Sequence, residues 1–187
     1  MAVRISRYIV ILLTFGLTMA MTSCHTSRSI SKDKHPSEIG SIDIGKPKGV
    51  QKLIVEEALT WVGTPYKYAC DVKGEGADCS GMVMRVYETV SGLKLPRNSA
   101  KQAEFCKHID TKDVRMGDLI FFATGKDPER VSHVGIVVDN AHFVHSSGSR
   151  GVVVSEIYSP YYQRTFRMFG RVPETNQELA GNDNDKE

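Results

Sequence analysis

Cys79 stands between Asp78 and Ser80-Gly81 at what reads as the first turn of a helix, and His133 and His145 bound short β-branched runs further along the chain. A helix N-terminus presents unpaired N–H groups and about half a positive charge, which favours thiolate over thiol. Those N–H groups can also stabilise the oxyanion formed when a carbonyl is attacked. A sulfur nucleophile needs a base, and an imidazole oriented by a third polar residue supplies one. The three residues therefore frame a thiol acyl chemistry in which Cys79 attacks, His133 takes its proton and His145 orients His133. A third-position histidine stabilises an imidazolium less than a carboxylate does, and suffices when the thiol is already partly ionised. Asp78 must turn away from the sulfur, because a nearby negative charge raises a thiol pKa. It is expected to cap the helix or to hold a cationic group of the substrate. Gly81 is expected to admit a substrate backbone.

Whether the histidines meet depends on strand parity. Residues 133–138 and 142–146 read as strands facing each other across Asp139-Asn140. A two-residue loop would pair His133 with Ser146 and send His145 to the opposite face. A three-residue loop, 139–141 or 138–140, puts both rings on one face, and such loops commonly hold one residue in the left-handed region, which Asn tolerates. The odd loop is predicted, with His133 directly or diagonally opposite His145. His142 then points to the other face as a solvated or packed residue.

The remaining elements follow from period and punctuation. Val50, Leu53, Ile54, Ala58, Leu59 and Trp61 keep helical spacing until Gly63-Thr64-Pro65. Residues 66–77 read as a loop. A second helix spans 79–90, capped by Asp78 and ended by Gly92, and a short one spans 98–105. The period then changes to 2, with strands at 118–122, 133–138, 142–146, 151–157 and 165–172. Helices first and a mostly antiparallel sheet of about five strands afterwards make an α+β fold.

Composition narrows the functions. The chain has 187 residues, 41% of them hydrophobic, with 16 Gly, 7 Pro and 4 Cys, which excludes disorder, collagen and a disulfide scaffold. A net charge of +2, of which Arg4 and Arg7 lie in the leader, gives no footprint for nucleic acid. Residues 9–21 form an apolar run too short to span a bilayer, which takes about 20 residues. With the arginines ahead of it, it reads as a secretory signal over 1–23. Thr22-Ser23-Cys24 resembles a bacterial lipobox, where the cysteine is alkylated by a diacylglyceryl group, acylated and left as the new N-terminus. Residues 24–48 then form a tether reaching roughly 25 Å. The catalytic domain is 49–173, and 174–187, with five acids, is an acidic disordered tail.

Gly63-Thr64-Pro65-Tyr66, Asp78-Cys79-Ser80-Gly81, Leu95-Pro96-Arg97, the run 117–122, His133-Val134-Gly135-Ile136 and Phe143-Val144-His145 occur in the order seen in the NlpC/P60 cysteine peptidases, which this chain resembles from 50 to 172. The resemblance implies a papain-like α+β fold and cleavage of an amide bond in the peptidoglycan stem or cross-link. It also implies that Cys79 is the nucleophile, His133 the base, His145 the third polar residue, and Tyr66 an aid to the oxyanion region together with Asp78 and Ser80. The layout of lipobox, tether and one domain is similar to the lipid-anchored murein endopeptidases that cut D-alanyl–diaminopimelate cross-links. Other members cut γ-D-glutamyl–diamino-acid bonds. Ala69-Cys70 departs from the Gly-Gly of many relatives beside the expected cleft. The implied partners are peptidoglycan stem peptides and, through the N-terminal lipid, a membrane, with the outer membrane facing the periplasm as the expected site. No cofactor is called for. Zinc on Cys79, His133, His145 and Cys70 lacks any short-range ligand pair. Cys70 and Cys106 are candidates for a disulfide outside the cytoplasm, though spacing does not show their distance. A peptidoglycan-binding lipoprotein with an inert site, and acyl transfer by the same thiol, are the competing functions.

Overall fold

The computed structural model describes residues 49–173. Its elements are α1 (Val50–Leu59), β1 (Asp71–Val72), β2 (Gly76–Ala77), α2 (Cys79–Ser91), α3 (Ser99–Phe105), β3 (Lys107–Ile109), a 3₁₀ turn at Thr111–Asp113, β4 (Leu119–Phe122), β5 (His133–Val137), β6 (His142–Ser147), β7 (Gly151–Glu156), α4 (Pro160–Thr165) and β8 (Phe166–Arg171). The main sheet runs β3-β8-β4-β5-β6-β7, with every pairing antiparallel. The α+β class is as expected, but the sheet has six strands rather than about five. The extra strand, β3, has only three residues, two of them exposed, so it carries no hydrophobic alternation to read. The segment 66–77 is more ordered than the expected loop, because it holds the small β1–β2 hairpin. The stretch before β8 contains α4, begun by Pro160 at a position where the missing N–H costs nothing.

α2 forms because its apolar residues recur at helical spacing: Met82, Val83, Val86 and Tyr87 are buried. The Asp78 carboxylate accepts the Gly81 N–H at its start, and Gly92 closes it in the left-handed region at φ 71°. Sheet alternation divides the interior in two. Leu119, Phe121, Val134, Ile136 and Val144 pack with α1 and α2. Ile120, Phe122, Val137, Phe143, Phe166 and Phe169 face the other way, beneath Ile157, Tyr158 and Tyr162. Each fully buried Phe in these layers contributes roughly 1.5–3 kcal/mol relative to exposure.

The β5–β6 turn has the predicted odd length. Ile136 pairs with Val144 and Val137 with Phe143, and the Val138 N–H donates to the His142 carbonyl, leaving 139–141 as the loop. The expected left-handed Asn140 is absent: among the described residues Ala69 is the non-glycine with positive φ. Asp139 closes the turn instead, its Oδ1 accepting the Ala141 and His142 N–H groups, each at 2.8 Å. A side-chain acceptor of this kind replaces the backbone twist that a left-handed residue would supply.

Candidate active site

His133 and His145 share one face of the sheet, and their rings meet edge-on with His133 Nε2 2.8 Å from His145 Nδ1. They stand diagonally across two strands that are parting. The β5–β6 ladder ends at Ile136 and Val144. Beyond it β5 stays with β4, His133 opposite Phe122, and β6 stays with β7, His145 opposite Val153. The imidazole pair bridges the opening. His145 is fully buried, stacked on Phe143 at 4.7 Å, while His133 keeps an edge open.

The partners of the outer ring are hydroxyls, which both donate and accept, and one tautomer of the pair leaves a base on His133. His145 Nε2 lies 3.0 Å from Ser155 Oγ and 3.1 Å from the Tyr162 hydroxyl. With His145 Nε2–H donating to these oxygens, His145 Nδ1 becomes the acceptor for His133 Nε2–H, and His133 Nδ1 is left to accept a proton. Burial holds both imidazoles neutral. It pushes His133 down to about 4 and, with the positive charges of His133 and Arg150 adding to it, His145 down to about 2.

Cys79 is the first residue of α2, a helix packed on the opposite face of the sheet from the histidines. What links the thiol to β5 is Val134, the neighbour of His133, whose N–H acts on the Cys79 sulfur. That N–H and the N–H groups of Ser80 and Cys79 at the helix end lie near enough to the sulfur to favour its ionised form. β6 reaches the same place from its side, with Ser146 Oγ donating to the Ala77 carbonyl at 2.7 Å. The thiol is not partly ionised as the helix terminus suggested. Burial pushes it up to about 11, the Val134 N–H opposes this, and the Asp78 charge adds to the rise. Desolvation of a single buried charge outweighs three backbone N–H groups and the helix dipole.

Asp78 takes the first of its two expected roles. Its carboxylate accepts from Gly81 N–H at 2.8 Å, Ala69 N–H at 2.9 Å and Ser80 Oγ at 3.1 Å, and forms a two-pronged pair with Arg97 at 2.8 and 2.7 Å. The cation it meets belongs to its own chain, not to a substrate. Burial would raise its pKa, but the Arg97 and Gly81 hydrogen bonds hold it below the usual carboxylate range. Ser80 is buried and its hydroxyl is tied to Asp78 and Arg97, so only its main-chain N–H faces the sulfur. Gly81 likewise serves the chain itself: a Cβ there would lie 2.5 Å from the Cys70 carbonyl oxygen. Tyr66 bridges to Ala77 and stands close enough to Cys79 and Asp78 that, after burial, their charges raise its pKa.

Ser155, Tyr162 and the Val134 N–H escaped the sequence reading. Ser155 was legible in principle, because the β6–β7 register places it opposite Phe143 and so diagonal to His145. Tyr162 belongs to α4 and had no signal. Cys70, Cys79 and Cys106 carry free thiols, so no Cys70–Cys106 bridge forms. Among the described residues no group of three His, Cys, Asp or Glu is placed to hold a metal ion. Cys24, the leader, the tether and the acidic tail lie outside the described residues.

Comparison with known proteins gives the family of the chain. The chain is 39% identical over 129 residues to a probable endopeptidase of Haemophilus influenzae, covering 69% of this chain and 79% of that protein. It is 33% identical over 155 residues to the murein DD-endopeptidase MepS/murein LD-carboxypeptidase of Escherichia coli K12, covering 83% and 77%. Among solved structures, an NlpC/P60 family protein from Bacillus cereus superposes with a TM-score of 0.61 at 28% identity, over 70% of this chain and 42% of that one. Residues 63–171, which hold the thiol, both histidines and the opening between β5 and β6, match the NlpC/P60 family, and the chain belongs to it.

Proposed function

We propose that this chain is a peptidoglycan endopeptidase in which Cys79 is the nucleophile, His133 the general base and His145 the residue that orients it. The observation that carries this reading is the 2.8 Å contact between the two imidazoles, with the Cys79 sulfur near the N–H of Val134, the residue next to His133. Because neither the thiol nor the imidazole ionises readily alone, proton transfer and attack go together. His133 Nδ1 takes the thiol proton as sulfur bonds to the carbonyl carbon, and the new charges are created as a mutually attracting pair. The Cys79 N–H and the Tyr66 hydroxyl receive the oxyanion. His133 then gives the proton to the leaving nitrogen as the C–N bond breaks. Water, deprotonated by the same imidazole, hydrolyses the thioester and frees the thiol.

The D-alanyl–diaminopimelate cross-link is the favoured bond, supported by the E. coli relative aligned over 83% of this chain. Digestion of one defined cross-linked muropeptide, with fragments weighed by mass spectrometry, tests both levels. The unaltered protein is expected to release the two monomers and Cys79→Ala none. Equal digestion by both proteins overturns the enzyme, and release of fragments cut at the γ-D-glutamyl bond corrects the substrate. Lipidation of Cys24 would hold this activity at the outer membrane, facing the periplasm. Its test is the intact mass of membrane-extracted protein, which should show a diacylglyceryl and acyl increment that Cys24→Ser lacks; an unmodified mass in the unaltered protein removes the anchor.

A further inference from the structure

A pocket of about 370 Å³ opens beside the imidazole pair, bordered by His133, His145, Ser147, Ser149, Arg150 and Tyr162. It contains hydroxyls and one permanent cation, and no Asp or Glu lines it. Arg150 is exposed on the β6–β7 turn, yet its guanidinium is held: Nη2 donates to Ser155 Oγ at 3.2 Å, and its charge lies near enough to the Tyr162 hydroxyl to lower that group's pKa. Among the described residues, no carboxylate lies within ion-pair distance of it. Contrast Arg97, Arg85 and Arg171, each paired with an aspartate of the chain. A guanidinium that is positioned but unneutralised matches the planar fork of a carboxylate.

The chemistry fixes which part of a substrate reaches it. The leaving nitrogen must receive its proton from His133, so the residue carrying that nitrogen lies on the histidine side of the sulfur, and the pocket is on that side. We infer that Arg150 binds the free α-carboxylate of the leaving amino acid, so that this site selects amides whose nitrogen sits on a carbon bearing an unblocked carboxylate. This rests on the thiol-peptidase reading and narrows it. An amide formed on the far amino-acid centre of a diaminopimelate, or one to a C-terminal amino acid, has that carboxylate. An amide to a residue whose own carboxyl continues the chain does not.

The test uses two synthetic peptides that differ only in carrying a carboxylate or a primary carboxamide on the leaving residue. The full chain is expected to favour the carboxylate peptide by roughly tenfold or more in kcat/KM, as for one charge-assisted contact. Arg150→Ala should collapse that ratio towards one, chiefly through KM, and Arg150→Lys should restore part of it. The same ratio is read as affinity in Cys79→Ala protein, where no turnover is needed. A ratio of one in the unaltered protein overturns the inference. So does an Arg150→Ala effect that falls equally on both peptides, which would mean that Arg150 only steadies Ser155 and His145. Selective binding by Cys79→Ala without turnover by the unaltered chain would instead retain the carboxylate site and sink the peptidase reading.

Discussion

The two flanks of the Cys79 sulfur are built on opposite principles. On one side Asp78 and Arg97 are charged, and every oxygen of the carboxylate is occupied by groups of the chain itself. On the other, His133 and His145 are neutral, desolvated and joined by a single hydrogen bond, with one imidazole nitrogen uncommitted. A satisfied ion pair has low energy and nothing left to exchange, so it holds α2 against the 69–70 segment. A neutral pair short of one proton partner is costly to charge and ready to accept a proton the moment a counter-charge appears beside it. Structure on one flank and reactivity on the other follow from how completely each side is partnered.

Exchanging the two flanks by mutation is the sharpest break. His133→Ala should lower kcat/KM about a thousandfold, the scale of a lost general base, while costing little stability. Asp78→Ala should do the reverse, destabilising by about 2 kcal/mol as Arg97, Gly81 N–H and Ala69 N–H lose their acceptor. Peptide turnover and urea unfolding of both variants measure the pair; a stability loss at His133 with activity lost only at Asp78 would refute the assignment. The next effect is the pH profile. Since burial lowers His133 to about 4, kcat/KM should keep its plateau below pH 6.5, fall only near 4, and show no alkaline limb until the thiol titrates at about 11. An acid limb at 6.5 would mean a solvated imidazole. Stability has its own sign: both histidine pKa values are depressed by folding, so the unfolded chain binds more protons in acid. The fold is therefore fully supported above about 6.5 and weakens as pH falls from there through 4. Equilibrium unfolding between pH 7 and 4 reads this directly.

The smallest effect lies where the charged flank carries strain. Ala69 holds φ at 57° so that its N–H can reach Asp78. Ala69→Gly relieves a left-handed alanine but frees the unfolded chain, and should stabilise by less than about 1 kcal/mol, seen as a small rise in urea midpoint. A fall in midpoint would show that the alanine is unstrained. At Ala69 the departure from Gly-Gly is thus a backbone matter.

Much of the site was legible because it depends on local rules. Asp78 followed by Cys79 and an apolar helix is a capped N-terminus whatever surrounds it, and the parity of a three-residue loop puts His133 and His145 on one face. The loop's closure by Asp139 in place of a left-handed Asn140 changed the means and kept the count. The thiol's protonation was misread, since a helix end is visible in a sequence and burial is not. Asp78 caps the helix as expected, but its cation Arg97 was not foreseen and Gly81 was misread, for the same reason: Arg97 and Cys70 reach them only through the fold.

Linear order alone picked out Cys79, His133 and His145 as candidates, and determined the faces their strands give the histidines and the α+β class, because capping and period are set within a few neighbours. Tertiary structure decided that the β5–β6 ladder ends at Ile136 and Val144, and that the Cys79 sulfur lies near the Val134 N–H, one residue from His133. It also set Ser155, Tyr162 and Arg150 around the outer imidazole. Those outcomes depend on contacts between segments far apart in the chain, where neither propensity nor spacing has any hold.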